Sequence, residues 1–553
     1  MKSTNAAELR GWLDDVLATA STDSVNPESP SSLQELALVD VREPGQFGEG
    51  HLFFAIPIPF SVFETRFREL VPRFTTRTVL IDQDDGVASL AASAALALGY
   101  TDIYVLKGGV EAWHEAGFNL FKGVNLPSKT FGELLEIAQQ TPHISAEELN
   151  QRQLAGESLT IIDGRPVSEY RNMSIPGAGC CPNGELVMRA DTLVDNPHTP
   201  VVINCAGRTR SILGAQSLID AGFPNPVVAL ENGTQGWVLA GFELEHGKEP
   251  AQVSVSDSSI LASRRDRVNQ LARKAGVEFI DADRLEEFCS DPHRTVYLLD
   301  VRSQQEFQTQ ALAGSRHAPG GQLIQATDQW VAVRGARVVL LDSDGLRVSM
   351  CAYWLRQLGH EAFVMQPQYT VEQLIACAET KSFQTASAVS LHLNDCQSIT
   401  IDELVKGGKP ISDEYQVIDL RPSADYRNAH ISGALWSVRP LVRLLELDKT
   451  VPVLLVGDQQ KTELVSSDLQ GAGFHCLRLA GSGEPDASDQ WRRAGIPITE
   501  SVATPADEER IDFLFFTAGR HKGSRADSLL YLEWEQDLLN QIDSQERNSF
   551  RLV

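Results

Sequence analysis

The chain reads as an α/β protein: four tandem domains, each a parallel sheet covered by helices on both faces, followed by a C-terminal helix. Three observations predict this. An apolar segment ending in Asp-x-Arg occurs four times, as Leu38-Val39-Asp40-Val41-Arg42, Ile161-Ile162-Asp163-Gly164-Arg165, Leu298-Leu299-Asp300-Val301-Arg302 and Val417-Ile418-Asp419-Leu420-Arg421. The copies are spaced a domain apart, too far for a solenoid unit. Short apolar strands alternate with helical stretches in each copy, the pattern of a parallel sheet buried on both faces.

Each copy then passes the same landmarks. An aromatic follows the arginine (Phe47, Tyr170, Phe307, Tyr426), then a small-residue turn such as Ile175-Pro176-Gly177-Ala178. A second strand comes next, at 79–81, 201–203, 338–341 and 453–456. The helices after it stop at Gly99, Gly222, Gly359 and Gly473, as glycine C-caps do. A third strand follows, as in Val227-Val228-Ala229-Leu230. Trp113, Trp237 and Trp491 close three copies, and read as helix residues packed on the sheet before they read as a substrate wall. The third copy lacks this ending, so its last helix is expected to be altered.

The domains read as 1–125, 140–250, 264–378 and 396–500, with a tail at 507–553. Polar connectors at 251–263 and 382–395 separate the later units, and 264–275 reads as a basic helix. In the tail, Leu529, Leu530, Leu532, Trp534, Leu538, Leu539 and Ile542 fall near helical spacing. That face suits docking on another domain or a homodimer. His521 and Lys522 are given no catalytic role.

Composition narrows the function. A chain of 553 residues exceeds a single core. Its formal charge of -26, spread along the sequence, argues against nucleic acid and anionic membranes as partners. Eight cysteines without a regular framework do not suggest a disulfide scaffold, and no CxxC or Cys/His cluster has metal-ligand spacing, so no metal or cofactor is expected. No apolar run approaches a membrane span, and Glu8, Asp14 and Asp15 interrupt the N-terminus where a secretory signal would be apolar. A reducing cytoplasm is the expected compartment.

Against this acidic background one basic loop stands out: Asn204-Cys205-Ala206-Gly207-Arg208-Thr209-Arg210-Ser211, between a strand and a helix. Backbone N–H groups and a helix N-terminus converge there, which binds anions and favours thiolate over thiol. Cys205 is the candidate nucleophile. Ala206, Gly207, Arg208, Thr209 and Arg210 are candidates for binding an anionic substrate, the arginines through bidentate contacts. Asn204 and Ser211 support the loop. Arg165 is a further binding candidate with Asp163 behind it, although Asp-x-Arg persists in every copy and therefore favours a fold-stabilising ion pair. Cys180 and Cys181 read as small buried residues, with resolving thiols as the alternative.

The repeated unit resembles the rhodanese (thiosulfate sulfurtransferase) family over about residues 1–500. The Asp-x-Arg strand end, Pro176-Gly177-Ala178, the Cys205–Arg210 loop and the Gly233-Thr-x-Gly-Trp237 ending carry the resemblance. It implies four rhodanese-like domains and sulfane-sulfur transfer: the loop cysteine takes sulfur from a donor, most simply thiosulfate, and passes the persulfide sulfur to cyanide or a thiol. Mercaptopyruvate or glutathione persulfide as donor, or a non-enzymatic carrier or scaffold, are the alternatives. A phosphatase needs Cys-x5-Arg, and position 211 is serine. The corresponding loops of the other copies, beginning at Asp82, Asp342 and Gly457, have no thiol. Those units are expected to be structural, regulatory or partner-binding, and 140–250 is expected to act alone.

Overall fold

Alternate residues of a strand face opposite sides of its sheet, and the second unit shows both sides filled. Ile161, Val202 and Leu230 pack with Tyr170 and Trp237 on one face. Ile162, Ile203 and Ala229 pack with Ala215 and Leu218 on the other. The strands run in the order His143–Ile144, Val227–Leu230, Val201–Asn204, Thr160–Asp163 and Gly179–Cys180, all parallel. The computed structural model describes residues 2–19, 35–194, 196–378, 380–383, 396–406, 410–520 and 524–553. Most of the 382–395 connector, together with His521 and Lys522, lies outside the described residues.

The other units repeat this order. The third uses Glu278–Ile280, Glu361–Met365, Arg337–Leu341, Val296–Asp300 and Arg316–His317. The fourth uses Ser398–Ile399, Cys476–Leu479, Val453–Val456, Gln416–Asp419 and Leu435–Trp436. In the first, Lys2–Thr4, Ile103–Leu106, Thr78–Ile81 and Leu36–Asp40 are joined by Ile56–Pro57. Its edge also takes Val333–Arg334 from the third unit, antiparallel, which covers backbone that would otherwise stay unpaired. Glu35 secures the same seam, accepting from Thr295 N and Oγ1 at 2.6 and 2.8 Å.

Helix ends follow the sequence reading. At Gly222, φ is +75°, and the next N–H, of Phe223, reaches back to Leu218 O, closing the αL cap. Trp237 is buried and donates its indole N–H to Glu243 O, a packing role. The closing helix of the third unit, Val371–Cys377, is less altered than its sequence suggested. It keeps the seven-residue length of its counterparts, and Val371 and Leu374 fill the core without a tryptophan.

Of the two dockings read for the tail, on another domain or on a second copy, the structure shows the first. Helix Arg525–Gln541 packs within the same chain, against Leu126–Gln139 and Gly233–Leu239, and buries Tyr531, Leu532, Glu535 and Leu538. Leu538 and Ile542 complete the first unit's core beside Leu9, Leu13 and Phe121. Most of the face assigned to a partner is therefore spent internally. Among the described residues no helix is long and apolar enough to cross a membrane.

Units two and three meet at Arg347, whose side chain is 1% exposed. Its guanidinium pairs with Glu185 of the second unit at 3.0 Å and with Glu306 and Asp344 of the third at 2.9 and 2.8 Å. Removing one partner of a buried charge cluster strands the others. Arg347→Ala is expected to destabilise this junction by about 3–5 kcal/mol, read as a lowered first transition in urea or heat denaturation. An unshifted transition would show that the cluster is not structural.

Candidate active site

Strand pairing aligns the four units residue by residue. Asp163 pairs with Asn204, Asp40 with Ile81, Asp300 with Leu341 and Asp419 with Val456. The next residue is Cys205 in the second unit, and Asp82, Asp342 and Gly457 in the others. Two of these replacements are informative. Asp82 accepts the N–H groups of Asp84 at 3.0 Å and Ala88 at 2.9 Å. Asp342 accepts those of Gly345 at 2.8 Å and Val348 at 3.2 Å. Burial pushes the Asp342 carboxyl well up, and these N–H groups and Arg347 oppose that shift. A strand end followed by a helix start thus gathers donors that a carboxylate fills.

The 205–210 loop contains no Asp or Glu, and Cys205 holds the register position that Asp82 and Asp342 hold in the first and third units. Ser211, in register with Ala88 and Val348, brings its hydroxyl to 3.0 Å from Sγ. The loop is held from behind by the Gly-Thr ending: Thr234 N and Gln235 N donate to Cys205 O and Ala206 O at 2.8 and 3.2 Å. Gly233, with φ +52°, allows this approach, because a Cβ there would lie 2.2 Å from Cys205 O. Burial pushes the Cys180 thiol up to about 12 and those of Cys289 and Cys476 to about 11, and raises Cys181 and Cys351 as well. Cys180 and Cys181 are packed in the two cores of the second unit.

Asp-x-Arg is a fold device in all four units. Arg165 pairs with Asp163 at 2.7 Å and donates to Met173 O at 2.5 Å. Arg42, Arg302 and Arg421 make the same two contacts, to Asp40 and Gly50 O, Asp300 and Gln310 O, and Asp419 and Ala429 O. Arg165 is 1% exposed and does not line the Cys205 cavity, which corrects its assignment to substrate. Asn204 joins this network by donating to Asp163 at 3.1 Å.

Cys205, itself 2% exposed, opens on a cavity of about 360 Å³ that also exposes Ala206, Gly207, Arg208, Thr209 and Arg210. The two arginines are not open cations as the sequence implied. Arg208 forks onto both oxygens of Glu133 at 2.7 and 2.9 Å and also pairs with Glu136. Arg210 forks onto Glu169 at 2.7 and 2.8 Å. Burial pushes Glu133 up to about 7 against the pull of Arg208.

Much of the cavity wall comes from outside the second unit. Asn125 and Lys129 belong to the helical connector, Gln322, Gln325 and Gln329 to the third unit, and Arg520, Tyr531 and Glu535 to the tail. An isolated 140–250 segment would lack these walls. Lys129 bonds to the Tyr531 hydroxyl and faces Glu535 at 3.4 Å. Burial opposes its charge, but Glu535 and Tyr531 outweigh this and raise it above the ordinary lysine value. Sequence reading missed these residues because they are hundreds of positions apart. The available signal was the pair Tyr531 and Glu535, a polar i,i+4 stripe in an otherwise apolar helix face. A second cavity of about 500 Å³ adjoins at Ala206 and Arg520, with Met173, Val238, Phe242 and Leu244 as apolar wall.

The fold and the strand-end thiol describe a repeat of parallel α/β units with one candidate nucleophile, and comparison with known proteins gives its family. The model of the rhodanese-like domain matches residues 28–116, 145–240 and 281–367. The crystal structure of a thiosulfate sulfurtransferase from Pseudomonas aeruginosa is 34% identical, covers 100% of both chains and superposes with a TM-score of 0.85. A putative sulfur carrier protein of Bacillus subtilis, YrkF, is 29% identical over 136 residues, 23% of this chain and 72% of that protein. An uncharacterized protein of the same organism, YqhL, is 35% identical over 86 residues, 16% of this chain and 67% of that protein. The chain belongs to the rhodanese family of sulfurtransferases.

The Glu169 clamp gives a test of the arginine. Glu169→Gln releases Arg210 toward the cavity and is expected to lower the thiosulfate KM by roughly tenfold, the value of one charge-assisted contact. The double variant with Arg210→Gln should lose that gain. An unchanged KM in Glu169→Gln would show that Arg210 does not meet the donor.

Proposed function

We propose that this protein transfers sulfane sulfur from an anionic donor, thiosulfate foremost, through a persulfide on Cys205 to a thiol or cyanide. One observation carries the reading: Cys205 stands in strand register with Asp82 and Asp342, whose carboxyl groups accept backbone N–H groups at the following helix start. A thiolate and the persulfide anion that replaces it both need such donors. Cys205 Sγ attacks the outer sulfur of thiosulfate, the S–S bond breaks, and sulfite leaves with the electron pair. The persulfide stays anionic in the same cradle, with the Ser211 hydroxyl beside it.

The name of the 34%-identical structure supports thiosulfate as donor. The burial of Cys205 at 2% exposure beneath the tail helix favours small molecules over direct relay to another protein. The units without a loop thiol serve as walls and joints: the third supplies glutamines to the cavity and Arg347 to the junction.

Incubation with thiosulfate is expected to add one sulfur mass per chain, seen by intact mass spectrometry, and Cys205→Ser should abolish it. Sulfur retained on that variant would move the chemistry to another cysteine. Thiosulfate that leaves the mass of the unsubstituted protein unchanged would remove it as donor.

A further inference from the structure

The cavity holds a carboxylate that persulfide formation does not use. Glu535 is 1% exposed and stands on the tail helix, outside the repeated units. Its Oε1 accepts from the Thr209 hydroxyl at 2.9 Å and faces Lys129 Nζ at 3.4 Å. Its Oε2 is buried without a hydrogen-bond partner. A side chain on Gly207 would meet that oxygen at 3.2 Å, so Oε2 is aimed at the loop that carries Cys205. A buried acceptor without a donor is costly to keep, so a donor that enters with the ligand gains from meeting it.

The chemistry of the group indicates what arrives. A carboxyl oxygen without a partner lacks a hydrogen-bond donor, so what completes it brings a proton. A cavity of about 360 Å³ matches a small organic ligand and is more than thiosulfate needs. We propose that Glu535 Oε2 takes the proton of the sulfur acceptor, a low-molecular-weight organic thiol that enters this cavity protonated. This rests on the Cys205 persulfide reading and names the acceptor class and the base.

The step balances. The acceptor S–H bond breaks toward Oε2 while its sulfur attacks the outer sulfur of the persulfide. A new S–S bond forms on the acceptor, the bond to Cys205 Sγ breaks, and its electron pair remains on Sγ. An organic persulfide leaves, and Glu535 returns the proton to water. One sulfane sulfur has moved, and no external oxidant or reductant is required. Other charges face the carboxylate from each packed element: Lys129 and Glu133 from the connector helix, Arg208 from the loop, Arg520 stacked on the Tyr531 ring at 3.7 Å, and Tyr531 from its own helix.

The test uses the full chain, loaded from thiosulfate, with two acceptors: mercaptoethanol, protonated at neutral pH, and thionitrobenzoate, already ionised. Loading of Cys205 is read by intact mass before acceptor is added, so failure to load counts against the persulfide reading and not against Glu535. Glu535→Gln preserves size and the acceptor for Thr209. It is expected to slow discharge to mercaptoethanol about a hundredfold at neutral pH, and discharge to thionitrobenzoate less than about twofold. The gap should close as pH rises through the alkyl thiol's own ionisation, which lies above the cysteine value of about 8.5. Glu133, pushed up to about 7, titrates in the same window and acts on both acceptors, so their ratio is the readout.

The unsubstituted protein supplies a measurement that needs no variant to fold. With a base at Oε2, the ratio of discharge to mercaptoethanol over discharge to thionitrobenzoate stays nearly level below that pH. Without one, it falls about tenfold per pH unit as thiolate disappears. That fall, or a Glu535→Gln variant whose two acceptors slow equally or not at all, would overturn the proposal.

Discussion

Backbone N–H groups that converge where a strand turns into a helix need an electron-rich partner, and the rest of this protein is arranged around that need. The first and third units satisfy it internally, with the carboxylates of Asp82 and Asp342. The second leaves the position to the Cys205 sulfur and puts no acid in its loop. A carboxylate closes such a site permanently, whereas a sulfur can be loaded and unloaded. The same backbone device therefore gives a joint in one unit and a candidate reaction centre in another.

Geometry around that loop depends on the strand-end ion pair repeated in every unit. Asp163 holds Arg165 and Asn204 together, and Arg165 reaches on to Met173 O, so strand, loop and following turn are locked before any substrate is involved. A buried pair of this kind adds little net stability compared with apolar packing, but losing one partner is expensive. That asymmetry fits a motif that survives where the thiol does not.

Charge is balanced more closely in the cavity than its arginines suggest. Glu133, Glu136 and Glu169 engage Arg208 and Arg210, and Glu535 faces Lys129. The clamps occupy the guanidinium forks that a substrate anion would otherwise engage, so substrate competes with Glu133 and Glu169 for them. Walls from the connector, the third unit and the tail exclude bulk water from a thiol that a lone unit would leave at an open strand end.

Four parallel α/β units, their strand-end pairs, their glycine caps and the singular loop at Cys205 were all legible in the sequence. Each is set by residues close in the chain: strand alternation, helix termini and loop composition act over a few positions. The closing helix of the third unit was misjudged because Val371 and Leu374 do by packing what a tryptophan does elsewhere, and packing has no local signature. The glutamates that hold Arg208 and Arg210, the strand Val333–Arg334 on the first sheet, and the roof of Tyr531 and Glu535 depended on contacts between distant segments. Local chemistry determined which residue is the nucleophile candidate, because the anion loop and its thiol are adjacent in sequence. Only the tertiary structure decided what surrounds that thiol, because burial and charge pairing are set by which surfaces meet once the chain has folded.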